Sequence, residues 1–433
     1  MDRSDDTPLS TSTSPIGVPD SLTIRSEAAA AVGATLLAAG MASYRVKWAM
    51  SRTARSLGLD SFTSIVTYTD ITATATLNGR YRTRITQPAH VGVNVDHIFH
   101  AQRYVERLPA RGVSAAEVFE QLARIRARGP LHSRLLNALA AGFACAAFAF
   151  LNQADPLEIL GVLIAATIGQ AVRRTVQLKD WNHLLVALIA AVTAATVYLL
   201  VIGVPQAVGW LDPGYLGGYL ATVLFLVPGF PLITGLLDLV RSDFAAGIHR
   251  LAYAGIIILG AASALWTVAL VAQAEVAQVQ SLGLPFSVEL PLRALATFVG
   301  VLGFALIFNS PWRIAMAAAA LSLVANSLRF VLTSAGTPVQ IATLLATMLV
   351  GFSAYLIARR FHLPRTSLSV PAVVIMIPGY ALYEAFALLN AGNLVTSVQL
   401  AQEAVQTVLA AAFGLALAHL ATSPEWRRTV HPS

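Results

Sequence analysis

Two short stretches, 150 positions apart, are near copies of one another: Leu-Val-Pro-Gly-Phe-Pro-Leu-Ile-Thr-Gly-Leu-Leu at 226–237 and Met-Ile-Pro-Gly-Tyr-Ala-Leu-Tyr-Glu-Ala-Phe-Ala at 376–387. Each Pro-Gly pair (Pro228-Gly229 and Pro378-Gly379) lies midway along an apolar segment long enough to cross a bilayer. Proline removes a backbone donor and clashes with the preceding turn, so each pair breaks a helix where no water can satisfy the freed groups. Broken helices at matching places in two halves of a chain point to a binding site at the level of the breaks.

The bulk of the chain agrees. Of 433 residues, 56% are hydrophobic and 12% charged, and mean hydropathy is +0.67. Soluble domains carry about 25% charged residues, so many side chains here face lipid. The net charge of +7 does not indicate a nucleic-acid partner, because the basic residues cluster at the ends of apolar spans. The single cysteine, Cys145, sits in an apolar run, which rules out an intrachain disulfide or a multi-cysteine metal site and reads as a small core residue. Neither a metal nor a cofactor is expected. Residues 1–25, rich in Ser, Thr, Asp and Pro and without an apolar run after Met1, read as a disordered tail rather than a signal peptide.

Residues 26–134 read as a soluble α+β domain. Arg25–Leu59 has helical spacing, and Phe62–Tyr68, Ile71–Leu77 and Tyr81–Ile85 favour strands, the last two joined by an Asn78-Gly79 hairpin signal. Helices follow over Val95–Leu108 and Ala115–Ala127, the second opened by Ser114 with Glu117 as a capping box.

From Leu135 the pattern predicts ten spans, near 135–153, 155–172, 181–203, 215–239, 249–272, 292–308, 311–332, 338–358, 368–389 and 399–420; the second and sixth are short. Arg124, Arg126, Arg128 and Arg134 crowd the first span, and alternate loops keep the basic residues, which sets the soluble domain and both termini in the cytoplasm. The broken spans are fourth and ninth. Five apart is odd, so they run in opposite directions: an inverted repeat of five plus five spans, 135–272 and 292–420, with an extracytoplasmic loop at 273–291 and a cytoplasmic tail at 421–433. Both breaks fall about 15–20 Å deep, near the midplane of a ~30 Å core.

Asp238 and Glu384 are carboxylates on the second half-helices of the broken spans, where an ionisable group suggests proton coupling or substrate contact. The plainer readings are a surface ion pair of Asp238 with Arg241 and a buried neutral Glu384. Pro228, Gly229, Phe230, Thr234, Pro378, Gly379, Tyr380 and Tyr383 would line the substrate site, with freed amides and carbonyls as donors and acceptors. Asn309 and Asn326 read as interhelical hydrogen-bonders. Arg293 and Arg329, the only cations on the outer side, either snorkel to headgroups or bind an exiting carboxylate. In the soluble domain, His90, Asp96, His97 and His100 invite a metal or hydrolase reading. Against it, Ile98, Phe99 and Val105 make an ordinary amphipathic helix whose polar side would hold such residues in water, no nucleophile motif appears, and no catalytic residue is assigned.

Gly-Met-Ala-Ser-Tyr-Arg-Val at 40–46, Ser-Leu-Gly-Leu at 56–59, and Pro-Leu-Ile-Thr-Gly-Leu-Leu-Asp-Leu at 231–239 with Gly247 and Arg250 resemble motifs of the threonine/serine exporter family. Leu237 stands where that family usually has a basic residue, which argues against a tight ion pair at Asp238. The second half, around Val374–Tyr383, resembles a smaller module that elsewhere is a separate subunit. The resemblance implies proton-driven export of threonine and serine across the inner membrane, with lipid, protons and a small polar solute as partners; a related branch exports a dicarboxylate. A homo-oligomer is left open. The competing reading is a membrane-anchored enzyme or sensor working through its cytoplasmic domain.

Overall fold

The computed structural model describes residues 21–88, 91–179, 181–209, 217–274, 283–361 and 363–427. Helix α1 (Ser21–Ala38) begins inside the stretch expected to be a tail, so 21–25 are helical; residues 1–20 lie outside the described residues. The single helix expected over Arg25–Leu59 is two, α1 and α2 (Ser43–Ser56), because Gly40 takes φ 90° and turns the chain. Strands β1 (Ser61–Val66), β2 (Ile71–Leu77) and β3 (Arg80–Thr86) form an antiparallel meander with Ser61 opposite Thr76 and Ile71 opposite Thr86. Asn78 and Gly79 both have positive φ, as a two-residue hairpin of this type requires. Helices α3 (Val95–Arg107) and α4 (Ala115–Arg126) complete this N-terminal unit. Ser114 accepts from Glu117 N at 3.2 Å, but only this half of the expected capping box forms.

The apolar part has α5 (Arg134–Leu151), α6 (Pro156–Gln177), α7 (His183–Tyr198) continued by a π turn (Leu199–Gly203) into α8 (Val204–Ala207), a 3-10 segment (Gly217–Leu226) bent by 64° into α9 (Gly229–Val240), and α10 (Phe244–Val271). Then come α11 (Phe286–Ile307), α12 (Trp312–Ser334), α13 (Val339–Phe361), α14 (Arg365–Val374) bent by 42° into α15 (Gly379–Asn390), α16 (Leu394–Thr422) and the short α17 (Pro424–Arg427). Among the described residues, eight helices are long and apolar enough to cross a membrane, up to ten if each bent pair is one span. The spans expected to be short, α6 and α11, are full-length at 22 residues each, and α11 starts six residues inside the anticipated 273–291 loop, carrying Pro291 within it. Mid-helix apolar residues of the long helices face outward: Leu259 of α10 is 57%, Val324 of α12 59% and Leu356 of α13 64% exposed. Such surface suits lipid and not water.

The two halves repeat at fixed offsets. Helices α6 and α12 start 156 residues apart, as do α7 and α13. Helices α9 and α15 start 150 apart, as do α10 and α16. Packing follows suit: α5 lies on α6, α6 on α7 and α7 on α10, as α11 lies on α12, α12 on α13 and α13 on α16. The N-terminal unit marks one end of this bundle. Val95 N and Asp96 N donate to Phe308 O and Asn309 O at the α11–α12 turn, and His132 Nε2 meets Ser310 O at 2.9 Å. So α12 starts on that side, while α6 ends there, beside the same unit.

Candidate functional site

Both breaks have one geometry. Pro228 caps α9 with φ −79°, ψ 59°, and Pro378 caps α15 with φ −79°, ψ 58°. The two glycines then pack reciprocally. A Cβ on Gly229 would meet Ile377 at 3.0 Å and Val374 at 3.2 Å, while one on Gly379 would meet Val227 at 3.0 Å and Leu224 at 3.1 Å. Each glycine therefore touches the residues two and five positions before the other, the contact pattern of a local two-fold axis. The absent side chains leave room for these apolar neighbours to close on the breaks.

A cavity of about 1430 Å³ opens between the N-terminal unit and the bundle and reaches the first break at Pro228, Phe230 and Pro231. Its walls hold Arg84, Arg126, Arg173, Arg174 and Arg250 against one carboxylate, Glu27. Arg84 is paired with Glu27 and Arg250 with Asp238. Arg126 is held by Thr35 Oγ1 at 2.8 Å, and burial lowers its pKa from the ordinary arginine value. Arg126, Arg173 and Arg174 have no carboxylate partner among the described residues. The vestibule is an anion-attracting funnel.

Below the first break, the expected roles of Asp238 and Thr234 change. Asp238 is 0% exposed and its partner is not Arg241 but Arg250, 1% exposed, at 3.2 Å. The Arg250 Nε–H is not aimed at the carboxylate, so the contact is Coulombic and not a hydrogen bond. Leu237 thus does not deprive Asp238 of a close cation, as the resemblance had suggested. The turn at Arg241–Asp243 is short, so α9 and α10 form a hairpin that brings residues on its two arms together. Asp238 Oδ1 also accepts from Ser43 N and Ser43 Oγ, both at 2.9 Å, and Ser43 Oγ reaches Asp243 Oδ2 at 2.5 Å. Lys47 pairs with Asp243. Arg250 Nη2 donates to Met41 O at 2.7 Å, and Nη1 to Thr234 Oγ1 at 3.2 Å and Gly40 O at 3.3 Å. The Gly40–Ser43 turn of the N-terminal unit is therefore bolted to the first broken span. Removing one member of such a buried pair costs about 3–5 kcal/mol.

The second break is reached by none of this. Pro378, Gly379, Tyr380, Tyr383 and Glu384 do not line the vestibule. Tyr380 Oη donates to Gly217 O at 3.0 Å, tying the two broken spans together. Tyr383 is buried at 1% exposure, its hydroxyl without a hydrogen-bond partner among the described residues. Glu384 is half-buried and makes no ion pair or hydrogen bond among them. Glu158, a buried carboxylate that sequence reasoning passed over, accepts from Asp155 N at 2.9 Å and Gly218 N at 3.2 Å, fixing the 3-10 arm.

Elsewhere, Asp96 is not in water as expected: it is 1% exposed and takes Arg128 Nε at 2.7 Å. His97 Nε2 lies 3.2 Å from Arg128 O, and His90 is outside the described residues. Asn326 does bond between helices, to Thr297, whereas Asn309 joins the bundle to Asn94 and Leu131. No cluster of three His, Cys, Asp or Glu able to hold a metal occurs among the described residues.

Comparison with known proteins fits this arrangement. The family model described as "Putative threonine/serine exporter" matches residues 27–273, and a second, "Threonine/Serine exporter, ThrE", matches 293–421. The chain belongs to the threonine/serine exporter family. It carries both family modules and is a multi-pass membrane exporter. Two relatives that match about half of the chain are each named "Probable succinate transporter subunit YjjP": one from Klebsiella aerogenes, 26% identical over 52% of this chain and 84% of its own length, and one from Escherichia coli strain K12, 28% identical over 52% and 86%. No solved structure matches. The boundary between the two family matches falls between α10 and α11, where the structural repeat also divides.

Proposed function

We propose that this exporter moves small polar amino acids, threonine and serine, outward across the inner membrane at the expense of the proton gradient. The observation that carries the reading is the arginine-rich vestibule leading from the N-terminal unit to the Pro228 break. A substrate carboxylate is drawn in by Arg126, Arg173 and Arg174, and carbonyls freed near the break accept its ammonium group. Pro228, Gly229, Phe230, Thr234, Pro378, Gly379, Tyr380 and Tyr383 line the path between the breaks once the packing of Gly229 on Val374 and Ile377, and of Gly379 on Leu224 and Val227, parts. The five-plus-five arrangement, 135–272 with 292–420, is an inverted repeat, and 26–134 is a cytoplasmic domain through which solute enters, with both termini on the same side. Of the two carboxylates, Glu384 is the better proton carrier, since it lacks a fixed partner, while Asp238 is held by two hydrogen bonds from Ser43 and by the charge of Arg250. Protein without Glu384's charge, Glu384→Gln, then inserts normally but loses gradient-driven efflux.

A second reading has an observation of its own. Three arginines without counter-carboxylates suit two negative charges better than a zwitterion, and relatives matching half of the chain carry a succinate name. Efflux of labelled threonine, serine and succinate from proteoliposomes, with and without an imposed proton gradient, separates the two. Gradient-dependent movement of the amino acids supports the first reading; movement of succinate alone replaces it with the second; movement of none removes both.

A further inference from the structure

Helices α6 and α12, equivalent at an offset of 156, each carry an amide three residues before an arginine: Gln170 with Arg173, and Asn326 with Arg329. The pairs are built alike. Arg173 Nη1 lies 3.5 Å from Gln170 Oε1, and Arg329 Nη1 lies 3.4 Å from Asn326 Oδ1. Each amide reaches across to the preceding helix of its half, Gln170 to Asn137 and Asn326 to Thr297, both at 2.8 Å. Around Arg173 the vestibule wall includes Ala187 of α7 and Tyr253 of α10. Their counterparts are Thr343 of α13, which accepts from Arg329 Nε at 2.9 Å, and Glu403 of α16, whose negative charge acts on Arg329 where Arg173 has the neutral Tyr253.

The two arginines lie at opposite ends of the bundle. Helix α12 starts beside the N-terminal unit, and Arg329, seventeen residues on from Trp312, is about 25 Å further along it. Arg173 lies near the end of α6, which finishes on the unit's side. The hydrogen bonds of Arg329 go only to neutral groups, Thr343 and Asn326, as those of Arg173 go to Gln170 and Phe225 O. Arg293 beside it is already committed to Glu289, and Phe330 lies between the two cations, 4.7 Å from Arg293 and 5.8 Å from Arg329.

We infer that Arg329, with Asn326 and Thr343, is a second carboxylate site, the release-side counterpart of the Arg173 vestibule. It is closed in this structure and opens when the halves exchange shape. Substrate leaving the midplane passes from Arg173 to Arg329, and Glu403 holds the arginine's charge in balance while the site is empty. The inference rests on the exporter reading and adds to it a place and a residue for the outward step.

The test uses the full chain in neutral-lipid vesicles of sorted orientation, with labelled threonine, serine and succinate, measuring half-saturation separately from each side. Arg329→Gln is expected to raise half-saturation on the side away from the N-terminal unit on the order of tenfold, the worth of one charge-assisted hydrogen bond, and to leave the near side unchanged. Arg173→Gln is expected to do the reverse, and Arg329→Lys to recover part of the loss. In a Cys145→Ala background, Thr343→Cys is expected to react with an impermeant anionic thiol reagent from the far side only during turnover, and to be protected by substrate. Equal effects of Arg329→Gln on both sides, or transport continuing with Thr343→Cys unreactive, overturns the site. So does an effect of Arg329→Gln seen only as lost stimulation by added anionic lipid, which makes it a headgroup contact. Failure of the unmodified chain to move any of the three solutes overturns the exporter reading instead.

Discussion

The two broken spans share a skeleton and differ in what is attached to it. Both have a Pro-Gly break of one backbone geometry, a twelve-residue helix after it, and a left-handed residue at the same place in the following turn, Ser242 and Gly392. Beyond the break they diverge. The first carries Asp238 and, across the hairpin, Arg250; at the matching positions the second has Leu388 and Leu400. The first is bolted to the N-terminal unit through Ser43. Beyond its break the second has no such bolt among the described residues, only the nearby contacts of Tyr380 and Ser397, whose Oγ donates to Ala385 O at 2.6 Å, while its first arm meets the unit through Thr366 Oγ1, which donates to Met41 Sδ at 3.6 Å. The arms before the breaks also differ: a buried ten-residue 3-10 segment in the first, the α-helix α14 in the second. Runs of 3-10 this long are uncommon and mark strain or a hinge. Geometry is thus repeated, while polar chemistry beyond the break fastens the first broken span to the unit by a buried charged pair and gives the second no counterpart of that pair.

The severest way to break that contrast is to give the first half the second half's residues. Arg250→Leu alone strands a fully buried carboxylate and is expected to cost about 3–5 kcal/mol, seen as a large drop in melting temperature in detergent. Asp238→Leu combined with Arg250→Leu removes both charges, and apolar replacement of a buried pair is often neutral. The double variant is expected to regain most of the stability yet lose docking of the N-terminal unit, read by faster proteolysis near Gly40, and to lose export with it. A double variant as unstable as the single one would mean that the pair holds the helices themselves and not the unit.

How much of this was legible beforehand follows the same division. Periodicity and apolar length announce helices wherever they face lipid, and Pro-Gly announces its own break, so the ten spans and both breaks could be read from residues 135–420. The N-terminal strands were equally plain, because Thr, Val and Ile alternate there around Asn78-Gly79. What could not be read was pairing across distance. Arg250 is twelve residues from Asp238, but Ser43 is 195 away, and no local pattern reports that a serine in one turn caps a carboxylate in a span. Arg241, three residues from Asp238, was the natural local candidate. It stacks instead over Tyr44 and Trp426. The Gln170–Arg173 and Asn326–Arg329 pairs were visible as letters, yet their equivalence needs the offset of 156, which only the helix starts disclose.

The reciprocal glycines sharpen the comparison next. Gly229→Ala places a Cβ 3.0 Å from Ile377, and Gly379→Ala places one 3.0 Å from Val227. Both contacts are tight but lie against side chains that can shift, so each variant is expected to lose about 1–3 kcal/mol. If the breaks are true counterparts, the two losses are nearly equal, and the double variant loses less than their sum because both act on one shared contact. Unequal losses, or strict additivity, would show that the two-fold contact is not a single unit.

Ser43→Ala tests the bolt more gently. It deletes the hydroxyl bonds to Asp238 and Asp243 but keeps the backbone N–H on Asp238, and is expected to cost about 1–2 kcal/mol. Undocking should be partial and export reduced but present. The matching change in the second half, Ser397→Ala, removes only a bond to Ala385 O, inside one hairpin, and should leave the N-terminal unit docked.

The smallest effect concerns the unit's other attachment, the start of α3 on the α11–α12 turn. There Asp96 is shared by Arg128 and His100, whose Nε2 lies 3.3 Å from Asp96 Oδ1. Burial lowers the His100 pKa below its ordinary value; Asp96 opposes this, but Arg128 already neutralises that carboxylate and adds its own repulsion. The native state therefore takes up the proton later than the unfolded one as pH falls. Stability from this group is complete above the unfolded value near 6.5 and declines below it until the folded histidine also protonates. A modest fall in melting temperature between about pH 7.5 and 5.5 is expected, and His100→Gln should flatten it. Asp238→Leu combined with Arg250→Leu should leave this slope intact, since the two attachments lie on different halves. A slope that disappears with the double variant instead would mean that the unit is held at one linked surface, and that the difference between the two broken spans does not extend to how the unit is anchored.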